Sequence, residues 1–250
     1  MQSRITVTGV EGLPLIKSGD DIPALICEAI DIEENDILCI ATTIISKANG
    51  YCRKLEDMHP SEQACRIASV TGEDPRFLEV VLEQADDVIL ETPFTLTALP
   101  CGHIGVRSGV DASNVEDGVA IYLPPDPMGV ADAIRERIQK ISGVACGVIL
   151  TDTCGRAFRR GQTGHAIGWS GMSAIRDFRG DTDLYGRVLE ITEEAVIDEI
   201  AGFANFIMGE SHNGIPAVLF HGCPKWSGHD EIFFNRDEDL IRKALKKEQS

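Results

Sequence analysis

Residues 147–168 read GVILTDTCGRAFRRGQTGHAIG. The apolar run VACGVIL (144–150) has the length of a strand and delivers Asp152, flanked by Thr151 and Thr153, to its end. Three arginines, Arg156, Arg159 and Arg160, then follow among Gly155, Gly161, Gly164 and Gly168. A strand that presents a carboxylate is a common way to hold a divalent cation beside a phosphate. Arginines on a glycine-rich loop match phosphate or carboxylate oxygens in bidentate fashion. Metal and anion chemistry is therefore the reading to test.

The remaining pattern predicts a mixed α/β chain. ITVTGV alternates as a first strand, and Asp20 or Asp21 caps a helix over IPALICEAI. DILCIATTIISK, rich in β-branched residues, reads as a buried strand ending at Lys47. Residues 60–70 and 75–86 have helical amphipathicity, with Pro60 and Pro75 near their starts. VILETPFTLTAL and HIGVRSGV suggest strands, the second leading to Asp111. A helix is expected over 129–141 and another over 192–208. In the latter Thr192 is the cap, Glu193 and Glu194 suit the first turn, and Val196, Ile200, Phe203 and Ile207 form the core face. Gly209 ends it and Glu210 follows. IPAVLF is a further buried strand, and the tail from 235 is a charged helix. The proline-rich LPPDP bend marks a subdomain boundary near 125–128 within a single domain over 1–250.

A net charge of −17 disfavours a general nucleic-acid binder or an anionic-membrane binder. Against that background, residues 153–180 carry five arginines and a single acid, Asp177, which suggests a defined anionic ligand. The eight cysteines form no CxxC pair, so reduced thiols are expected rather than zinc or iron–sulfur ligation. Cys154 reads as a small residue in a tight turn. No leader peptide and no apolar run of membrane-spanning length is present, so a cytoplasmic protein is expected.

Three acids stand at element ends: Asp111, Asp152 and Glu210. Hard oxygen ligands of this kind suit magnesium or manganese, which keep waters and substrate phosphate oxygens as further ligands. Lys47 can place an ammonium over phosphate oxygens. No GxxxxGK[ST], strand-following GxGxxG, HExxH or GxSxG occurs, which argues against a P-loop, a dinucleotide fold, a zincin or a serine hydrolase. His165 lies among the arginines and glycines as a residue that can touch a ligand, whereas His103, His221 and His229 read as structural or surface residues. The chemistry that fits is metal-assisted phosphoryl transfer with lysine and arginine offsetting developing charge.

GLPLIKSGDD (12–21), TTIISKANG (42–50), GVDASNVEDG (109–118), TDTCGRAFRRGQTGHAIG (151–168), DLYGRVLEIT (183–192), DEIAGFANFIMGE (198–210) and GIPAV (214–218) occur in that order. Together they resemble the coenzyme F420-0:L-glutamate ligases. The resemblance implies a family-specific α+β fold, with mixed sheets in two packed subdomains, and a homodimer. It also implies GTP-dependent amide ligation of L-glutamate to F420-0 through an acyl phosphate, with a second glutamate added through a γ-linkage. The cofactors it implies are two divalent ions, Mg²⁺ or Mn²⁺, together with K⁺. By motif, Asp111, Asp152, Thr153 and Glu210 become metal ligands. Leu13, Pro14, Leu15, Ile16, Thr42, Thr43, Lys47 and Asn114 become nucleotide contacts, joined by Met208, Gly209, Glu210, Ser211, His212, Asn213, Gly214 and Ile215. The resemblance assigns no role to Arg156, Arg159 or Arg160, which are expected to hold anionic F420-0 or glutamate. Asn213 stands where relatives usually carry a second acid. The alternatives are a nucleotide-dependent ligase acting on another acid, or a non-catalytic nucleotide- or cofactor-binding relative.

Overall fold

The computed structural model of the chain describes residues 4–247, and its first strand, β1 (Thr6–Gly9), is the half-exposed edge of a five-stranded sheet. Helix α1 (Ile22–Ala29) is capped by Asp21, whose Oδ1 accepts from the Ala24 amide. Strand β2 (Ile37–Ala41) ends earlier than its sequence suggests, because α2 (Thr42–Asn49) begins at once. A β-branched apolar run does not by itself separate strand from buried helix. Here Ile44, Ile45 and Ala48 share a buried face at helical spacing, and Gly50, at φ +69°, closes the helix. Lys47 therefore lies in the last turn of a helix and not at a strand end.

Residues 51–123 build a smaller layer. It contains β3 (Cys52–Lys54), α3 (Glu62–Thr71), α4 (Pro75–Gln84), β4 (Asp87–Leu90), β5 (Leu96–Ala98), β6 (Ile104–Val106) and β7 (Val119–Ile121). Ser61 and Asp74 cap α3 and α4. The expected strand 103–110 stops at Val106, where Arg107, Ser108 and Gly109 adopt φ of +56°, +54° and +66°. Ser108 is held in this strained conformation by bonds to Thr97 Oγ1 and Val81 O. Asp111 emerges from the turn, joined to Ile121 by an isolated bridge.

Helix α5 (Pro127–Ser142) leads to β8 (Gly147–Arg156), which pairs with β9 (Arg159–Ser170) as a long hairpin. The glycine–arginine segment is thus strand on both sides of a turn at Ala157 and Phe158, and Asp152 and Cys154 lie within β8. Two of its glycines serve close packing. A methyl group on Gly164 would lie 2.4 Å from Ala201 O, and one on Gly168 would lie 2.4 Å from Pro127 O.

Strands β10 (Ile175–Asp177) and β11 (Glu193–Glu194) pair before α6 (Val196–Met208). The helix starts beyond Thr192 because Glu193 and Glu194 are taken into that sheet, and Ala195 occupies its cap position. Its buried face is Ile197, Ile200, Ala201, Ala204 and Met208, while Phe203 is 48% exposed. Strands β12 (Ala217–His221) and β13 (Gly228–His229) and helix α7 (Leu240–Lys247) complete the described chain. The expected terminal helix covers only part of 235–247, and residues 248–250 lie outside the described residues.

The main sheet has the order β1-β12-β2-β8-β9, with β2 parallel to β8 and the other pairs antiparallel. Alternate residues of the central strands feed two cores. Leu38, Ile40, Val148 and Leu150 pack with residues of α1, α2 and α5, whereas Ile37, Cys39 and Ile149 pack with α6. Burial on both faces explains the nearly continuous apolar runs of β2 and β8. The architecture is mixed α/β with several separate sheets. All eight cysteines are free thiols, and no described helix is long and apolar enough to cross a membrane.

Candidate active site

A cavity of about 780 Å³ lies where the ends of β2 and the middle of β8 meet the 103–123 layer. Its floor carries Asp152. The Thr42 hydroxyl donates to Asp152 Oδ1 at 2.9 Å, so the first turn of α2 is tied to β8. No side chain caps that first turn, and Thr42 and Thr43 line the cavity. Burial pushes the Asp152 carboxyl up to about 6 in the metal-free protein. The Thr42 and Thr153 hydrogen bonds oppose this, and the charges of Asp111 and Glu210 add to it. Burial also lowers the pKa of Lys47, which lines the same space.

Glu210 reaches the cavity just beyond α6. Its Oε1 accepts from the Thr153 hydroxyl at 3.0 Å and from Asn205 Nδ2 at 2.6 Å. Asp111 is oriented by the Ala112 and Ser113 amides, at 2.8 and 3.0 Å from its Oδ1, and by the Ser113 hydroxyl. Asn205 escapes sequence reading because nothing in ANF distinguishes it from a helix-surface residue; only the fold brings it to Glu210.

The donor set suits a hard divalent cation. Asp111, Asp152, Thr153 and Glu210 all offer oxygen, all line one cavity, and Asp111 and Glu210 raise the cost of ionising Asp152. A cation bound among them would relieve that repulsion. Asp111, Asp152 and Glu210 do not bring their ligand atoms within 4.8 Å of one another as a set. Among the described residues only Asp177, Glu193 and His229 close to that extent. There, however, Arg179 already pairs with Asp177 at 2.7 Å and Glu193 at 3.2 Å, and His229 Nε2 bonds Glu193 Oε1.

Every residue expected to contact the nucleotide lines the cavity except Asn213: Leu13, Pro14, Leu15, Ile16, Thr42, Thr43, Lys47, Asn114, Met208, Gly209, Glu210, Ser211, His212, Gly214 and Ile215. Asn213 is engaged locally, accepting from the Ser211 hydroxyl at 3.4 Å. Arg156, Arg159 and Arg160 stand exposed on the outer hairpin and do not line the cavity, although Gly155 and Gln162 beside them do. His165 lies on β9 opposite Asp152, with its Nδ1 3.1 Å from Thr163 O. His103, read from sequence as structural, lines the cavity, and so does Arg107.

Residues 12–222 match the model of the family described as F420-0:gamma-glutamyl ligase. The chain belongs to the F420-0:gamma-glutamyl ligase family. It is 48% identical over 246 residues to the coenzyme F420:L-glutamate ligase of Archaeoglobus fulgidus, covering 98% of this chain and 99% of the relative. Identity to the Methanosarcina acetivorans protein of the same name is 46% over 241 residues, 95% of each chain. The Haloarcula marismortui ligase is 42% identical over 248 residues, 96% of each. Membership of the F420-0:gamma-glutamyl ligase family thus extends over nearly the whole chain, including all four oxygen donors of the cavity.

Proposed function

We propose that the chain ligates L-glutamate to coenzyme F420-0, with GTP supplying the phosphoryl group that activates the acceptor carboxylate. What supports this is the convergence of Asp111, Asp152, Thr153 and Glu210 on one cavity with Thr42, Thr43 and Lys47, in a chain of this family. A carboxylate is a poor acylating agent until one oxygen becomes part of a phosphate leaving group. An oxygen of the acceptor carboxylate attacks the γ-phosphorus, the bond to the β–γ bridging oxygen breaks, and GDP leaves. The glutamate amine then attacks the acyl carbon, inorganic phosphate departs with the C–O electron pair, and the nitrogen loses a proton to become an amide. Repetition at the γ-carboxylate of the added residue gives the second glutamylation.

Two divalent ions, when bound, would neutralise triphosphate charge and polarise the transferred group. Asp111, Asp152, Thr153 and Glu210 would hold them. Lys47 adds a fixed positive charge from α2, and the uncapped first turn of that helix suits an anion. The two-subunit assembly expected from the resemblance belongs to the same proposal.

Incubation of the purified chain with GTP, Mn²⁺, L-glutamate and F420-0 is expected to give GDP, phosphate and an acceptor heavier by one or more glutamyl residues. Glutamylation of another acid with F420-0 untouched would move the reading to a different ligase. GTP left intact with every acceptor would reduce it to a binding protein.

A further inference from the structure

One end of the cavity carries none of the residues assigned above to nucleotide or metal. Along β8, Asp152 bonds Thr42, and two residues later the Cys154 thiol meets Ile104 O at 4.0 Å. Two strand residues span about 6.6 Å, so β8 leads the cavity away from α2 toward β6. The far end is lined by His103, Gly105, Arg107, Cys154, Gly155 and Gln162.

His103 keeps 6% of its surface exposed. Among the described residues no hydrogen bond engages its ring nitrogens, and neither nitrogen is sealed from solvent. The residue lines the cavity. Gly105 leaves room for the ring: a methyl group there would lie 3.0 Å from His103 Nε2. The backbone of Gly105 is not left-handed, so its own conformation does not call for glycine. Arg107 Nε meets Glu73 at 2.7 Å and its guanidinium carbon lies 6.0 Å from the centre of the Phe77 ring, while its terminal nitrogens form no hydrogen bond among the described residues.

We propose that this end of the cavity binds the amino-acid substrate, L-glutamate, with the Arg107 guanidinium holding a carboxylate and the His103 ring accepting from the amine. The inference rests on the ligase reading above. A guanidinium pairs with carboxylate, and a neutral imidazole offers one acceptor and one donor. Burial, reinforced by the charge of His165, lowers the His103 pKa to about 4, so the ring is neutral at the pH where an amine must approach it. F420-0 presents its reacting carboxylate but no amine, and would use only half of this pair. The attacking amine is thereby delivered beside Asp152, on the opposite side from the nucleotide residues of α2.

The test uses the full chain and two variants, Arg107→Gln and Gly105→Ala. The first removes the guanidinium while keeping a hydrogen-bond donor that can face the mostly buried Glu73 carboxylate. The second crowds the His103 ring without removing it. Both should keep a cooperative melt. Calorimetric titration with L-glutamate, in the presence of GDP and Mn²⁺, is expected to show at least tenfold weaker binding in each. In the ligase assay KM for glutamate should rise at least tenfold while KM for GTP and for F420-0 stays within twofold. Unchanged glutamate binding in either folded variant, a KM effect confined to F420-0, or no glutamate binding by the wild-type chain overturns the proposal. Glutamate binding that is lost in the variants, from a wild-type chain that leaves F420-0 unmodified, would overturn the ligase reading while this site stood.

Discussion

The Thr42 hydroxyl donates to Asp152 Oδ1 at 2.9 Å, joining the first turn of α2 to the middle of β8 across 110 residues of chain. The bond stabilises the ionised carboxylate against the burial that opposes it. Thr42→Val keeps the shape and removes the donor. Mn²⁺ binding is expected to weaken by about ten- to a hundredfold, the equivalent of one hydrogen bond to a charged group. Thr42→Ser should restore it. Equal Mn²⁺ affinity in the valine variant would show that the bond does not support the metal site.

Asp152 also sets a pH dependence. Its folded pKa, about 6, lies above the ordinary value of 3.8. At low pH the carboxyl is protonated in both folded and unfolded chains and costs nothing. As pH rises from 3.8 to about 6, the unfolded chain ionises while the folded protein still holds the proton, so stability is lost across that window and the full cost stands above it. Without metal, Asp152→Asn is expected to be more stable than wild type at pH 7.5, by on the order of 2–3 kcal/mol, with the difference shrinking toward pH 5. The variant should lose ligase turnover, and Mn²⁺ should raise the Tm of wild type only. Denaturant melts across this pH range would refute the account if the two chains ran parallel.

Asn205 supports Glu210 through a 2.6 Å hydrogen bond. Asn205→Ala leaves every proposed ligand in place yet leaves Glu210 held by the Thr153 hydroxyl alone. A several-fold rise in the Mn²⁺ concentration for half-maximal activity is expected, with the melting temperature changed by only a few degrees. Asn213, outside the cavity lining, gives the contrasting case: Asn213→Asp should alter the same Mn²⁺ curve by less than twofold.

The exposed arginines of the hairpin lie next to Gly155 and Gln162 at the cavity end. With glutamate proposed at Arg107 and His103, these arginines are the proposed contacts of the anionic F420-0. Replacing Arg159 and Arg160 together by alanine is expected to raise KM for F420-0 and leave those for GTP and glutamate unchanged. Steady-state kinetics with each substrate varied in turn decides this.

Gly164 packs against α6 so closely that a methyl group would strike Ala201 O. Gly164→Ala should destabilise the chain by about 1–3 kcal/mol through overpacking. A melting temperature equal to wild type would mean that α6 shifts without cost.

Much of the local structure was legible in the residues themselves. Asp21 marks a helix start because a short side-chain oxygen satisfies a first-turn amide, and Pro75 marks another because its fixed φ suits the first turn. The apolar runs around 37–41 and 147–150 mark central strands because both of their faces are covered. Asp111, Asp152 and Glu210 stood out as oxygen donors, and the ordered motifs carried the family.

Tertiary structure decided what short-range patterns leave open. β-Branched residues at 42–49 became a helix because Ile44, Ile45 and Ala48 find a core on one face. Glu193 and Glu194 left α6 because β10 supplied their hydrogen-bond partners. Gly164 and Gly168, which read as part of an anion loop, are places where α6 and α5 approach β9, a constraint set by residues far away in sequence. His103 and Arg107 belong to the cavity only because β6 docks beside β8. Capping and periodicity act within a few residues and can be read locally. Which side chains share a cavity depends on how distant elements pack, and no local pattern encodes that.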